Sequence, residues 1–290
     1  MDESLPLFGE KPEPEWQLPS VLPTRLRSAS IEYIDSSSIL TRASGFMGAY
    51  DYTLNPYSGC EFGCNYCYAA FFSRDVEKQD NWGHWVTVKQ NALKKLKGMR
   101  TDLHNKKIYM SSVTDPYQGI EAKIGLVRAL LEYLVPKQPR LVVQTRSPLV
   151  KRDIDLYAQL DHVQVNMTVT TDSEEIRKAF EPRCPQIEQR LRGIQAVAAA
   201  GINCGITMTP LLPVEDAESF ADRLIETGVT HFVVQPFHSQ RGRFVAGTRE
   251  AAVEASKKLN WNDDAYTKVI AVLKEKLPNL KEGQEGFAPI

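Results

Sequence analysis

One stretch of the chain decides its fold: Asn55-Pro56-Tyr57-Ser58-Gly59-Cys60-Glu61-Phe62-Gly63-Cys64-Asn65-Tyr66-Cys67-Tyr68-Ala69. It holds three of the five cysteines in the spacing Cys-x3-Cys-x2-Cys. Gly59 and Gly63 suit a tight wrap around one point, because glycine adopts positive backbone φ angles without strain. Thiolates are soft ligands, which favours an iron–sulfur cluster or zinc. Three thiolates can hold three irons of a four-iron cluster and leave the fourth iron open to a small molecule.

Zinc and disulfide bonds are the alternative uses of these cysteines. A structural zinc site usually has four ligands, and the candidates for a fourth are Cys184, Cys204 and five scattered histidines, none in a second paired knuckle. A non-catalytic, zinc-stabilised binding module therefore stays open as an alternative. A disulfide framework is disfavoured, because the cysteine count is odd and the acidic start Met1-Asp2-Glu3-Ser4 lacks a secretory signal. These features favour a cytoplasmic protein, and no segment is long and apolar enough to span a membrane.

The cysteine stretch resembles the cluster loop of the radical S-adenosylmethionine superfamily, specifically its spore photoproduct lyase-like branch. The blocks Thr-Asp-Pro-Tyr (114–117), Thr-Arg-Ser-Pro-Leu-Val-x-Arg-Asp (145–153) and Phe-Glu-Pro (180–182) are similar to blocks of the same branch. The similarity runs from about Ser38 to about Pro236. The resemblance implies a [4Fe–4S] cluster on Cys60, Cys64 and Cys67, S-adenosylmethionine at the open iron, and an electron donor such as ferredoxin or flavodoxin. The implied activity is reductive cleavage of S-adenosylmethionine to a 5′-deoxyadenosyl radical, which abstracts hydrogen from a substrate.

The rest of the chain alternates between strand-like and helix-like runs. A length of 290 residues with 42% hydrophobic residues suits one α/β barrel-type domain. Strands separated by helices form parallel sheets, which predicts a partial (β/α)6 TIM-type barrel with extra C-terminal helices. Strands are predicted at 51–54, 107–112, 140–146, 163–169, 203–209 and 231–237, and helices at 90–103, 121–135, 151–160, 185–200, 216–227, 250–259 and 263–277. The proline-rich residues 1–28 are predicted to be a mobile arm, residues 29–290 the barrel domain, and residues 279–290 a tail.

The candidate binding residues lie at the predicted strand ends, where barrels of this kind carry their active sites. The ammonium group of S-adenosylmethionine needs oxygen acceptors, and its carboxylate needs a cation, for which Arg146 is the best placed. Its ribose needs hydrogen-bonding partners, and its adenine needs an apolar slot and backbone contacts. The acceptors predicted for the ammonium are Ser112, Thr114 and Asp115; the ribose partners are Thr168, Thr170 and Glu181; the adenine slot is formed by Tyr66 with Val233 and Val234.

Some features bear on the substrate. Tyr66 and Tyr68 match tyrosines proposed to relay a radical in the lyase that gives the branch its name, so both are candidate catalytic residues. That lyase is thought to use a cysteine as hydrogen donor at the second strand exit, and here residues 111–115 contain none. Relatives often carry lysine where this chain has Arg146. Cys184 and Cys204 are expected to be inert buried thiols.

Charge separates two classes of substrate. The net charge of −1 and pI of about 6.5 give no general attraction to nucleic acid. The candidate phosphate-binding surfaces are the basic run from Lys94 to Lys107 and the loop 240–244, which carries Arg241 and Arg243. A small-molecule or anionic substrate is therefore favoured, with a spore photoproduct lyase-like DNA repair enzyme as the alternative.

Overall fold

The computed structural model describes residues 16–238 and 248–290. In these residues the chain forms twelve strands: β1 (Arg25–Leu26), β2 (Ala29–Ile34), β3 (Leu40–Arg42), β4 (Tyr52–Leu54), β5 (Tyr57–Gly59), β6 (Trp85–Lys89), β7 (Lys107–Met110), β8 (Arg140–Thr145), β9 (Val163–Thr168), β10 (Cys204–Met208), β11 (His231–Val234) and β12 (Leu280–Glu282). The same residues form ten α-helices: α1 (Val76–Asp80), α2 (Ala92–Lys97), α3 (Glu121–Ile124), α4 (Leu126–Leu134), α5 (Ile154–Tyr157), α6 (Glu174–Phe180), α7 (Ile187–Ala199), α8 (Ala217–Ile225), α9 (Glu250–Lys258) and α10 (Asp263–Lys276). None of the helices in these two ranges is long and apolar enough to cross a membrane.

The main sheet has the strand order β12-β11-β10-β9-β8-β7-β4-β3. All neighbouring strands from β4 to β12 pair in parallel, and β3 pairs antiparallel with β4 at one edge. The six strands predicted from the sequence are β4, β7, β8, β9, β10 and β11, in the predicted order. The prediction of an α/β fold with a parallel, barrel-type sheet is therefore confirmed.

Side chains along the main strands alternate between two environments, as the two-residue period of a strand requires. Ile108 and Met110 of β7 pack with apolar helix residues in the large core cluster. Tyr109 between them points to the inside of the curved sheet. It joins an inner cluster formed with Tyr50, Val142, Val233 and Phe287. The inner cluster therefore lies on the inner face of the barrel, while the larger cluster joins the sheet to its helices.

The C-terminal residues close one end of the barrel, so the tail predicted at 279–290 is wrong. β12 extends the main sheet beside β11, and a 3-10 helix follows at Gly283–Phe287. Phe287 packs edge-on against Phe46 with 5.5 Å between ring centroids. Gly286 fits closely over Val233, because a Cβ at residue 286 would lie 2.3 Å from Val233 Cγ1.

A second sheet, with the strand order β1-β2-β6-β5, joins the N-terminal strands β1 and β2 to two strands that flank the cysteine loop. β1 pairs antiparallel with β2 across the boundary that the sequence suggested between arm and domain. Trp16 Nε1 donates a hydrogen bond of 2.9 Å to the Ile124 carbonyl. Residues 16–28 thus contact the domain, whereas residues 1–15 of the predicted arm lie outside the described residues.

Three predicted helices are shorter or broken in the structure. The helix predicted at 90–103 is confined to α2, and the helix predicted at 121–135 divides into α3 and α4 at Gly125, whose φ is 65°. The helix predicted at 151–160 begins instead as a 3-10 turn over Pro148–Asp153 and continues as the short α5. The sequence prediction missed α6, which lies beside the cysteine loop and helps to hold it.

Candidate active site

The cysteine loop begins in the second sheet and is anchored on α6. β5 pairs antiparallel with β6, which opposes Gly59 to Val86. Gly59 has φ 73°, and a Cβ there would lie 2.5 Å from the Trp85 ring. The position therefore needs glycine for both its backbone angle and the close approach of Trp85. At the other end, the Asn65 amide donates 2.8 Å bonds from its backbone to the Phe180 carbonyl and from its side chain to the Ala179 carbonyl.

The loop presents three free thiols. Cys60 and Cys64 are buried, Cys67 is half-buried, and none of them forms a disulfide. The pKa of Cys60 is raised well above its ordinary value, mainly by burial. Asp115 and the other two loop thiols raise it further, so the three sulfurs are close enough for their charges to interact. Repulsion between adjacent thiolates is relieved when each binds a cation, which is the situation of cluster ligands.

The structure places Cys184 beside this loop, which the sequence did not predict. Its Sγ lies 3.5 Å from Cys64 Sγ, close enough for a thiol hydrogen bond that lowers the pKa of Cys64. Cys184 is buried, as expected, but it touches one of the candidate ligands. Cys204 is buried in β10 at a different site.

The three thiols are candidate ligands of a cluster. In the described residues, no three His, Cys, Asp or Glu side chains are already gathered as the ligands of one metal ion are. A structural zinc ion needs four such ligands around one point. In a four-iron cluster each thiolate would bind a different iron, so the loop thiols need not be gathered around one ion.

A buried charged network lies next to the thiols and is centred on Glu181. The Tyr66 hydroxyl donates to Glu181 Oε1, and the Thr170 hydroxyl donates to the same oxygen at 3.0 Å. Arg146 Nη2 donates to the Tyr66 oxygen at 3.1 Å, and Arg146 Nε lies 3.6 Å from Glu181 Oε1. Four of the predicted cofactor-binding residues thus form one connected group.

A fifth member of this network, Arg190, was missed by the sequence reasoning. Its Nη2 lies 2.5 Å from Glu181 Oε2, and both side chains are fully buried. Burial alone would raise the pKa of Glu181, but Arg190 and Arg146 outweigh it and lower that pKa to about 2. Arg190 occupies the apolar face of α7, three residues after Ile187 and four before Ile194. An arginine at a core-facing position of a helix is the signal that identifies it.

Asp115 is brought close to Arg146, but it bonds to the protein itself. Its carboxylate accepts bonds from the backbone amides of Tyr117 at 2.9 Å and Arg146 at 2.7 Å, and from the Thr145 hydroxyl at 2.7 Å. Burial raises the pKa of Asp115, and these three bonds oppose that rise. The carboxylate therefore fixes the backbone of the β8 exit, which supports the Arg146 side chain.

The exit of β7 is fixed by the cysteine loop and its flanks. The side chain of Asn55 accepts from the Ser112 amide at 3.0 Å and donates to the Ser112 hydroxyl at 3.4 Å. The Tyr68 hydroxyl donates to the Ser112 carbonyl, and the Thr114 hydroxyl donates to the Gly59 carbonyl at 2.6 Å. Ser112, Thr114 and Tyr68 thus tie the second strand exit to the cysteine loop.

Thr168 and Val234 have different surroundings. Thr168 faces the barrel interior, where Gln144 Nε2 donates to the hydroxyls of Thr168 at 2.6 Å and Thr207 at 2.8 Å. Val234 packs in the large core cluster between sheet and helices, while its neighbour Val233 joins the inner cluster. Strand alternation turns the Val234 side chain outward and the Val233 side chain inward, so Val233 supplies the apolar part of the predicted adenine slot and Val234 can offer only backbone contacts. The slot itself stays a prediction. The predicted arginine loop at 240–244 lies outside the described residues.

Comparisons with known proteins agree with the resemblance drawn from the loop. A family model described as the Radical SAM superfamily matches residues 54–225, more than half of the chain. An uncharacterized protein of Methanocaldococcus jannaschii is 35% identical over 163 residues, 56% of this chain and 61% of that protein. An uncharacterized protein of Mycobacterium tuberculosis is 28% identical over 70% of this chain and 64% of its own length. The chain thus spans under two thirds of the length of these two relatives.

The structural comparison supports the fold. The chain is similar to spore photoproduct lyase complexed with dinucleoside spore photoproduct, with a TM-score of 0.59, 14% identity, and coverage of 87% of this chain and 81% of that one. A mutant of the same lyase with bound AdoMet and dinucleoside spore photoproduct gives the same TM-score. At this identity the similarity concerns the fold. The predicted family, parallel barrel and cofactor class are confirmed by these matches taken together.

Proposed function

Because the chain belongs to the Radical SAM superfamily, we propose that Cys60, Cys64 and Cys67 hold its [4Fe–4S] cluster and that the Tyr66–Arg146–Glu181 network binds S-adenosylmethionine. One observation carries this proposal: the loop that holds the three free thiols also contributes a residue to the buried charged network. That residue is Tyr66, which lies between Cys64 and Cys67 and bonds to Glu181. When bound, the cluster supplies the electron that cleaves S-adenosylmethionine reductively to methionine and a 5′-deoxyadenosyl radical.

The protein residues bind and orient the cofactor. Arg146 carries a guanidinium that suits the methionine carboxylate, and its backbone is held by Asp115. Glu181 keeps its charge because Arg190 and Arg146 lower its pKa, so it can accept hydrogen bonds from ribose hydroxyls. Thr170 already shares Glu181 Oε1 and can exchange that bond for one to the ribose. Ser112 and Thr114 support the ammonium end by fixing the β7 exit against the cysteine loop.

The barrel interior favours a small polar substrate. Its lining includes the amides of Gln144, Gln164 and Asn166 and the hydroxyls of Thr168 and Thr207. These groups bond to one another, so they are satisfied when no substrate is present. They can exchange those bonds for hydrogen bonds to a polar substrate. A DNA-repair role is the less favoured alternative, because the β7 exit lacks a cysteine and the net charge is −1.

The test is anaerobic reconstitution with iron and sulfide, followed by turnover with dithionite and S-adenosylmethionine. We expect about four irons per chain, a broad visible absorption band and release of 5′-deoxyadenosine. Cys67→Ala should lose both iron and product, while the matched control Cys204→Ala, a buried thiol away from the loop, should keep both. Equal iron content in the two variants would contradict the assignment.

A further inference from the structure

A cleft opens beside the cysteine loop, on the surface formed by the loop, the turn that follows α6 and the residues before β6. It has a volume of about 530 Å³. Gly63 and Asn65, which lie between the outer two candidate cluster ligands, form part of its lining. The remaining lining includes Trp82, His84, Arg183 and Arg249. We call it the arginine cleft.

Arg183 is fixed in this cleft. Its Nη1 donates a 2.8 Å bond to the Ser28 hydroxyl. The guanidinium packs against two glycines of positive φ: a Cβ at Gly63 would lie 2.5 Å from Nη2, and one at Gly83 would lie 2.1 Å from it. The closeness of the charged group to the loop backbone therefore depends on glycine at both positions.

Arg249 supplies a second cation. Its Nη2 donates a 2.9 Å bond to the Asp80 carbonyl, and its charge interacts with the Cys67 thiol. In residues 16–238 and 248–290, neither Arg183 nor Arg249 has a carboxylate oxygen within salt-bridge distance. Asp80 also lines the cleft and its charge interacts with Arg249, so the lining has two arginines against one carboxylate. The cleft thus keeps an excess of positive charge beside the loop that carries the thiols.

We propose that the arginine cleft is the docking surface for a small electron-transfer protein whose redox group is surrounded by acidic residues. The inference rests on the proposed function, because it needs a cluster that must be reduced. In the proposed step, one electron leaves the reduced redox group of the partner and reduces the oxidised cluster, and no bond forms or breaks. In the proposed function the cofactor and substrate occupy the barrel mouth, so a partner would approach the cysteine loop from another side. The cleft offers that approach, and complementary charge accelerates such encounters.

The experiment uses full-length reconstituted protein and reduced flavodoxin as the probe. Stopped-flow absorbance gives the second-order rate of cluster reduction by flavodoxin, and dithionite serves as a small reductant that needs no docking surface. Arg249→Glu and Arg183→Glu should each slow reduction by flavodoxin about tenfold or more at low ionic strength, and leave reduction by dithionite within about twofold. Added NaCl should slow the wild type toward the variants.

The matched control is Arg100→Glu, the same charge reversal at an exposed arginine that precedes β7. Arg100 therefore lies toward the amino ends of the parallel strands, away from the loop that follows β4. Because Arg183 also packs against the loop, Arg183→Lys tests charge with less disturbance and should keep near wild-type rates. Unchanged flavodoxin rates in Arg249→Glu and Arg183→Glu would overturn the proposal, and so would equal slowing with flavodoxin and dithionite. Wild-type protein without a reducible cluster would instead refute the proposed function.

Discussion

Replacing Arg190 should expose how much of the fold depends on the buried network of the site. In Arg190→Met the charged group is lost and an apolar chain of similar length remains. Glu181 would then stay buried with Arg146 Nε at 3.6 Å as its nearest cation. The substitution also removes bonds from Arg190 to the carbonyls of Pro185 at 2.9 Å and Thr168 at 3.2 Å.

The expected magnitude follows from the pKa of Glu181. The folded-state pKa is about 2, against an ordinary value of 4.5. Each pKa unit corresponds to about 1.4 kcal/mol, so burial and the partners of the carboxylate together contribute a net stabilisation of about 3 kcal/mol at neutral pH. Removal of one partner from a buried pair typically costs about 3–5 kcal/mol, because the other charge is left uncompensated. We therefore expect Arg190→Met to lower the free energy of unfolding by about 3–5 kcal/mol.

Urea unfolding of the reduced apo-protein at pH 7 measures this loss. Arg192→Met is the matched control on the same helix: Arg192 is 76% exposed and pairs with Glu188, so its loss should cost only about 0–1 kcal/mol. The pH dependence has a definite sign. Because the pKa of Glu181 is lowered on folding, its contribution is complete above about pH 4.5 and is lost as the pH falls toward 2.

A double variant tests whether the loss of stability comes from the ion pair with Glu181 or from altered packing alone. Glu181→Gln removes the buried charge, so Arg190→Met in that background should cost clearly less than in the wild type. Equal costs for Arg190→Met and Arg192→Met, or the same cost for Arg190→Met in both backgrounds, would refute the reasoning.

Three other outcomes are expected. Alanine at any of the loop cysteines Cys60, Cys64 or Cys67 should remove most cluster iron. Cys184→Ala should retain the iron, since Cys184 contacts the Cys64 sulfur and is not itself expected to bind iron. Iron loss in Cys184→Ala would indicate a fourth ligand. Arg146→Ala should weaken S-adenosylmethionine binding about ten- to a hundredfold in anaerobic calorimetry with the cluster intact, because a charge-assisted bond contributes about 1.5–3 kcal/mol; unchanged affinity would remove Arg146 from the site. DNA duplex should bind no tighter than about 10⁻⁴–10⁻⁶ M at physiological salt, and submicromolar, strongly salt-dependent anisotropy with dimer-containing DNA would favour repair instead.

The parallel barrel could be predicted because its strands are apolar runs of regular spacing. The second sheet carries weaker signals, because β1 and β5 have two and three residues and their pairing partners are distant in sequence. β12 is short and polar, so the sequence looked like a tail. Its place in the sheet depends on the neighbouring Phe287 and Gly286, whose partners Phe46 and Val233 come from other parts of the chain.

The site was predicted in its residue types more completely than in its contacts. The cysteine spacing is local and identified the thiols directly. Glu181 was assigned to ribose by its residue type, with support from the resembling Phe-Glu-Pro block, but its pairing with Arg190 depends on how α7 packs. Asp115 was predicted to accept from the ammonium group of the cofactor, because it is a carboxylate at a strand exit. In the structure its carboxylate instead accepts bonds from two backbone amides and the Thr145 hydroxyl. Residue type and position cannot distinguish these outcomes, because they depend on which donors the fold brings within reach.

The turn at 181–184 joins features that are separate in the sequence argument. It directs Glu181 to the charged network, Arg183 to the arginine cleft and Cys184 to the Cys64 sulfur. Arg177 Nη1 holds both ends of the turn through the carbonyls of Glu181 at 2.9 Å and Cys184 at 3.0 Å. Two bonds from one buried guanidinium restrict the turn more than either alone, since both must break before the ends can separate. The same constraint that holds Glu181 therefore also fixes Arg183 beside the cysteine loop. If both proposals hold, electron entry and cofactor binding depend on one restrained turn.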